Sequence, residues 1–220
     1  QAPGETESTR TNYTYDNLYR TTSVSKSTGD DTSSSNSYGY TDDLLTEIIS
    51  ASGTEYTFDY GVLDLVDSVK VGSRTLISHT YTDDANHRLS RSDYGNGDYV
   101  EYAYDSYGRL TGTNYGDESG SGNSYTYSYD NNGNLAAVYD SDYNQTTKYY
   151  YDMTDRMVKY TESGSNYNNS VQWEYDDLNR LTKNTQVLNG TEYVTNYSYD
   201  DDNRIESLSS GNVSVNYSYD

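Results

Sequence analysis

Tyrosines alternate with small polar residues in short stretches along the chain, and an aspartate follows each stretch. Residues 102–105 (YAYD) and 127–130 (YSYD) are two of the clearest copies. Because side chains alternate between the two faces of a strand, tyrosines separated by one residue lie on the same face. An aspartate after such a strand favours a tight turn, since its carboxylate accepts hydrogen bonds from the backbone amides that follow. The pattern therefore predicts short β-strands that end in turns.

A longer unit surrounds each tyrosine-aspartate pair and recurs through the chain. Three turn residues follow the aspartate, and in most copies an arginine and an aliphatic residue come next. The anchoring aspartates are Asp16, Asp43, Asp59, Asp84, Asp105, Asp130, Asp152, Asp176, Asp200 and Asp220. The other repeated positions are Tyr15, Tyr104, Tyr129, Tyr151, Tyr175, Tyr199, Tyr219, Gly108, Gly133, Arg109, Arg156, Arg180, Arg204, Leu110, Leu135 and Leu181. Self-similarity at spacings of 16 to 27 residues indicates a repeat architecture.

The third residue after the aspartate indicates the backbone conformation of the turn. In six of nine copies it is Gly, Asn, Asp or His, the types that best tolerate a positive φ. A four-residue hairpin loop whose last position is left-handed explains this preference. Second turns, such as Asn189-Gly190, lie between copies, so each unit is predicted to contain two strands and two turns.

The predicted fold class is all-β, with tandem β-hairpins stacked into a continuous spiralling antiparallel sheet, a β-solenoid or a shell. A single hairpin is marginal in water, so neighbouring hairpins must stack to cover the tyrosine face. We expect a polar N-terminal tail at 1–11 and a degenerate repeat region at 12–98 with a Ser/Thr/Gly-rich loop at 21–37. Regular repeats follow at 99–220, with the last copy truncated at the chain end.

Composition alone points towards disorder, and the tyrosines change that interpretation. Leu, Ile, Val and Phe make up only about 14% of the 220 residues, and the net charge is -21. Chains of that kind usually fail to bury enough surface to fold. The 30 tyrosines supply a patterned hydrophobic surface that an aliphatic count misses.

Charge and residue usage also exclude several classes of protein. The acidic balance argues against nucleic-acid binding. The absence of cysteine excludes disulfides and thiolate metal sites. No run of about 18 apolar residues occurs, so no membrane span is expected.

The unit resembles the YD-repeat, or Rhs-repeat, family, whose motif is Tyr-Asp, two variable residues and Gly-Arg-Leu. Residues 104–110 (YDSYGRL) match every defined position, and the resemblance is strongest over 99–220. It implies a spiralling β-sheet that closes into a hollow shell. Bacterial members enclose a toxic C-terminal domain, insecticidal toxin subunits do likewise, and animal teneurins use a related shell in adhesion.

This chain departs from the family in two ways. About nine full repeats are too few for a complete shell. The family's shell ends in a region with an Asp-Pro step, whereas the only proline here is Pro3. Toxin encapsulation and self-cleavage are therefore not carried over.

The residues that could suggest catalysis or metal binding are better explained by structural roles. His79 and His87 lie near aspartates, but a turn position for His87 and a polar strand for His79 account for them. Aspartate clusters at 83–84, 176–177 and 200–202 suggest calcium, yet each falls on a turn that needs aspartate, and none has EF-hand spacing. No catalytic, cofactor or metal site is predicted. The recurring arginines are expected to pair with the motif aspartates or to stack on tyrosines, rather than to bind a ligand.

Sequons for N-glycosylation occur about as often as chance allows. They mark candidate sites at Asn12, Asn144, Asn168, Asn189, Asn196, Asn212 and Asn216.

These observations favour a non-enzymatic structural scaffold of YD repeats in a cell-surface or secreted protein. The expected partners are other copies of the chain or further YD repeats, with glycans or surface proteins as additional candidates. One alternative is an extracellular filament subunit joined by β-strand addition, since an array ending in Tyr219-Asp220 would expose a strand edge. Another is an adhesin that binds carbohydrate or protein through exposed tyrosines.

Overall fold

The computed structural model describes residues 8–29 and 31–220, and the side chains of residues 31–33 also lie outside the description. The described chain is all-β, with 19 strands in one antiparallel sheet. This confirms the predicted fold class of hairpins joined in a continuous sheet. The chain forms two compact units, residues 1–101 with 116–120 and residues 102–115 with 121–220.

The first unit contains strands β1 to β8 and the start of β9. Each strand pairs with the next one in an antiparallel ladder. A short 3-10 segment, Val62–Asp64, lies between β5 and β6. The strands are β1 (Thr9–Tyr15), β2 (Thr21–Thr28), β3 (Asp31–Thr41), β4 (Leu44–Ile49), β5 (Glu55–Tyr60), β6 (Val66–Val71), β7 (Arg74–Tyr81), β8 (Leu89–Tyr94) and β9 (Tyr99–Tyr104).

The second unit repeats this order from β10 onwards, again with antiparallel pairing of successive strands. Its strands are β10 (Leu110–Gly116), β11 (Ser124–Tyr129), β12 (Leu135–Asp140), β13 (Gln145–Tyr151), β14 (Met157–Ser163), β15 (Asn168–Tyr175), β16 (Leu181–Leu188), β17 (Thr191–Tyr199), β18 (Ile205–Ser210) and β19 (Val213–Asn216).

Six motif turns have the same backbone, those at Asp16, Asp105, Asp130, Asp152, Asp176 and Asp200. In the turn after β9, the amide of Asp105 donates to the carbonyl of Arg109 and the amide of Gly108 donates to the carbonyl of Asp105. The strand register shifts at the motif tyrosine, as at Ser128/Tyr129, because the loop returns the chain one residue out of step. The third residue after the aspartate has positive φ in seven copies, at Tyr19, His87, Gly108, Gly133, Asp155, Asn179 and Asn203.

The sheet has little covered surface in the described chain. Val100 is the one buried hydrophobic side chain among the described residues, and none is fully buried. Contacts between neighbouring strands must therefore supply the stability that a packed core supplies in an ordinary domain.

The expected tail and loop are partly wrong. Residues 21–37 contain β2 and most of β3, which pair with each other from Ser23↔Ser37 onwards, and Thr9–Tyr15 is already a strand. Threonine favours strands, and ladder hydrogen bonds between backbone groups need no apolar side chains, so a Ser/Thr-rich composition did not reveal them. The rest of the expected tail, residues 1–7, lies outside the described residues.

The prediction that Asp43 and Asp59 anchor motif turns is also wrong. Asp43 lies in a two-residue turn, where Thr41 pairs with Leu44, so no four-residue loop follows it. Asp59 lies inside β5, and the turn begins two residues later, where the amide of Gly61 donates to the carbonyl of Leu65. In that copy the sequence Tyr60-Gly61 takes the place of tyrosine-aspartate.

Candidate functional site: contacts between repeats

The motif aspartate organises its own turn. The Oδ1 atom of Asp176 accepts hydrogen bonds from the amides of Leu178 and Arg180 at 3.0 and 2.9 Å, and Oδ2 accepts from Nε of Arg180 at 2.7 Å. Asp16, Asp105, Asp152 and Asp200 make the same set of bonds. Asp84 bonds the amide of Asn86 and the guanidinium of Arg88, and Asp130 bonds Asn134 instead of an arginine.

These bonds stabilise the charged form of each carboxylate. The backbone amide of Arg180 is the largest cause that holds the pKa of Asp176 below its ordinary value, and the Arg180 side chain adds to it. The amide of Arg204 lowers the pKa of Asp200 in the same way. For Asp152 the hydroxyl of Thr154 contributes most to the lowered pKa. The charged aspartates thus serve to hold their own turns together.

The motif tyrosine connects its repeat to the preceding one. The hydroxyl of Tyr199 donates to the carbonyl of Leu181 at 2.9 Å, and Leu181 is the aliphatic residue that follows the preceding turn. The same bond joins Tyr40 to Thr21, Tyr60 to Leu45, Tyr81 to Val66, Tyr129 to Leu110, Tyr151 to Leu135 and Tyr219 to Ile205, at 2.7 to 3.0 Å. Burial raises the pKa of the Tyr81 and Tyr151 hydroxyls.

The motif arginine covers the ring of that same tyrosine. The guanidinium carbon of Arg180 lies 4.7 Å from the centre of the Tyr199 ring, within the range of a cation–π contact. The same contact joins Arg20 to Tyr40, Arg109 to Tyr129, Arg156 to Tyr175 and Arg204 to Tyr219, at 3.8 to 4.6 Å. We call the combination of aspartate, arginine and following tyrosine the inter-repeat clamp.

A second bond between repeats uses the positive-φ position. Nη1 of Arg156 donates to Oδ1 of Asn179 at 3.0 Å, and Nη1 of Arg180 donates to Oδ1 of Asn203 at 2.7 Å. Asn134, which replaces the arginine, donates to Asp155 at 2.7 Å. An amide or carboxylate at this position therefore serves both the turn and the neighbouring repeat.

The remaining candidate residues are spread over the sheet. Tyr15 ends β1, Tyr104 ends β9, and Asp220 follows Tyr219 beyond β19. His79 bonds the hydroxyl of Ser92, and His87 occupies a turn with φ 44°. No group of three or more His, Cys, Asp or Glu that could hold a metal occurs among the described residues. No described helix is long and apolar enough to cross a membrane.

All seven sequon asparagines are exposed. Four of them lie at or beside the second turns: Asn144, Asn168, Asn189 and Asn212. Exposure makes these side chains accessible, and their modification stays a prediction.

Neither the partner of the tyrosine hydroxyl nor the side-chain bond at the positive-φ position was predicted from the sequence. A backbone carbonyl has no side-chain signature, so the first could not be found from residue types. The second had a signal in the sequence. A residue with side-chain N–H donors is followed, one repeat later, by Asn or Asp in the pairs 134/155, 156/179 and 180/203.

Tyr19 offers a direct test of the turn geometry. It is the only tyrosine at the positive-φ position in the described turns (φ 61°) and its side chain is 87% exposed. Because a left-handed conformation costs an L-residue about 1–2 kcal/mol and glycine little, Tyr19→Gly should raise the free energy of unfolding by about 0.5–1 kcal/mol after glycine's entropy cost. Urea denaturation measures it. Gly133→Ala should have the opposite sign, and equal signs would contradict the assigned geometry.

Solved structures with a similar fold carry Tc toxin names. The TcdB2-TccC3-TEV crystal structure matches with a TM-score of 0.68 and 18% identity, over 91% of this chain and 12% of that one. The TcdB2-TccC3-Cdc42 crystal structure matches with a TM-score of 0.67 and 18% identity, over 87% and 12%. A Photorhabdus luminescens Tc holotoxin pore matches with a TM-score of 0.61 and 15% identity, over 86% and 13%.

The chain thus spans about one eighth of the length of those proteins. Identity at this level establishes similarity of fold, and that fold fits the YD-repeat-like architecture expected from the motif. No family model and no curated protein matches the sequence.

Proposed function

We propose that this chain is a non-enzymatic structural scaffold of the YD-repeat type and forms part of a secreted or cell-surface protein. The observation that carries the proposal is the inter-repeat clamp. The residues most often repeated in the sequence are engaged with one another, as in Asp176, Arg180 and Tyr199. Polar groups in an enzyme or a ligand site converge on a cavity instead.

The solved structures support an extracellular assembly as the setting. One of them is named as a toxin pore, and this chain matches a small part of its length. Further YD repeats, or other copies of the chain, are the partners that such a scaffold would pack against. The filament alternative stays a prediction. Electron microscopy of the native material tests it, because monodisperse single particles at high concentration would contradict it.

Insertion of a complete repeat tests the scaffold proposal. A second copy of residues 176–199, placed directly after Tyr199, restores a tyrosine before each aspartate and an arginine before each next tyrosine. Because a repeat array is stabilised by nearest-neighbour contacts, the longer chain should fold, with higher β-content and an unfolding midpoint no lower than that of the parent. Far-UV circular dichroism and thermal unfolding measure both.

The matched control inserts the same residues with the order of the sequence reversed. Its composition and length are identical, but the motif is lost, so it should unfold at a lower temperature than the parent. Equal behaviour of the two insertions would contradict a scaffold that depends on the motif. For localisation, a protease added to intact cells should cleave the native protein, and full protection that ends on lysis would contradict an extracellular position.

A further inference from the structure

One turn of the second unit leaves an arginine without the partner that its counterparts have. Nη1 of Arg156 and of Arg180 donates to the asparagine at the positive-φ position of the next repeat. For Arg109 that position is Gly133, which has no side chain to accept a bond. Nη1 of Arg109 nevertheless lies beside Gly133, 3.7 Å from the position that a Cβ there would take. Nε of Arg109 is held by Asp105 at 2.7 Å.

Arg109 and Gly133 both line a groove of about 530 Å³. Tyr107 and Arg109 line one part of it, and Asp130 and Asn131 line another. The Tyr107 ring is 84% exposed, and the guanidinium carbon of Arg109 lies 5.2 Å from its centre. The corresponding position in the other described turns is not aromatic, with Leu18 and Leu178 as examples. This groove therefore combines two departures from the repeat.

The charges around the groove do not favour an anion. Asp105 balances Arg109, and Asp130 has Asn134 where other repeats have an arginine. A ligand must instead offer both donors and acceptors, because Arg109 donates, Asp130 accepts and the amide of Asn131 does both. It must also have a flat, weakly polar face for the exposed ring of Tyr107. A pyranose ring with vicinal hydroxyls meets these conditions.

We propose that the groove at Tyr107, Arg109 and Asn131 binds a neutral sugar, as a single pyranose unit of a glycan. The site is open and small, so an isolated monosaccharide should bind with a Kd of about 1 mM. This binding does not depend on the scaffold proposal, since the groove lies within one pair of turns.

Saturation-transfer NMR on the full chain tests the proposal with the methyl glycosides of glucose, galactose, mannose and N-acetylglucosamine, and with glucuronate as a charged comparison. At least one neutral glycoside should give a saturable signal. Tyr107→Ala should weaken that binding at least tenfold. Gly133→Asn should do the same, because it supplies the acceptor that occupies Nη1 in the other repeats. Tyr143→Ala, which removes a tyrosine 73% exposed in another turn, is the control and should bind as the parent does.

Three results would overturn the assignment. One is the absence of a saturable signal from any neutral glycoside, and a second is tighter binding of glucuronate. The third is unchanged binding by both Tyr107→Ala and Gly133→Asn, or equal loss in Tyr143→Ala. Circular dichroism establishes that each variant is folded. If Gly133→Asn does not fold, Tyr107→Ala decides, because that side chain is almost entirely in solvent.

Discussion

Tyr199→Ala should lower the free energy of unfolding by about 2–4 kcal/mol, because a half-buried aromatic side chain is lost together with its contacts. The substitution removes the hydroxyl bond to the carbonyl of Leu181 and the ring beneath Arg180. In a repeat array the damage should stay local, so hydrogen exchange should show lost protection mainly in β16, β17 and β18. Urea denaturation gives the total.

Two further variants separate the parts of that effect. Tyr199→Phe keeps the ring and removes only the hydroxyl, so it should cost about 1 kcal/mol. Tyr193→Ala removes a tyrosine from the same strand that is 54% exposed and belongs to no clamp, so it should cost less than Tyr199→Ala. A loss at Tyr193 as large as that at Tyr199 would contradict a special part for the clamp.

Acid should remove a stabilising contribution from many turns at once. The carboxyl pKa is lowered in the folded chain for Asp16, Asp59, Asp84, Asp105, Asp130, Asp152, Asp176 and Asp200. A lowered folded pKa gives stability that is present above the unfolded value, about 3.9 for aspartate, and is lost as the pH falls through the folded value. The urea concentration at the unfolding midpoint should therefore decrease as the pH drops below about 4.

Protonation also reduces the net charge of -21, and the relief of repulsion acts in the opposite direction. A comparison of variants separates the two effects. Asp176→Asn should unfold more easily than the parent at pH 7 and lose less stability between pH 7 and pH 2. Asp177→Asn changes the charge equally at a neighbouring exposed residue and should match the parent in its pH dependence. Identical pH dependence of all three proteins would contradict the role given to the turn carboxylates.

The repeat, the strands and the turn conformation could be predicted from the sequence, because their causes are local. Aspartate after a tyrosine strand and Gly133 or Asn203 at the positive-φ position are visible as residue types. Where a copy lacks these types the prediction was wrong, as at Gly61, which replaces the aspartate. The strands at 21–37 were missed because their pairing is carried by backbone groups.

The contacts between repeats depend on what the fold brings together. Tyr199 and Leu181 are 18 residues apart, and a carbonyl acceptor looks the same at every position. The departure at Arg109 depends on the fold in the same way, because Asn179 and Asn203 accept bonds from Arg156 and Arg180, whereas Gly133 has no side chain to accept one.

A double-mutant cycle between Arg180 and Tyr199 tests the inter-repeat clamp most directly. The free energies of unfolding are measured for the parent, Arg180→Ala, Tyr199→Ala and the double variant. If Arg180 stabilises the array through the ring of the next repeat, the two losses should not add, and the coupling should be about 1 kcal/mol. Additive losses within error would show that the two residues act independently and would contradict the clamp.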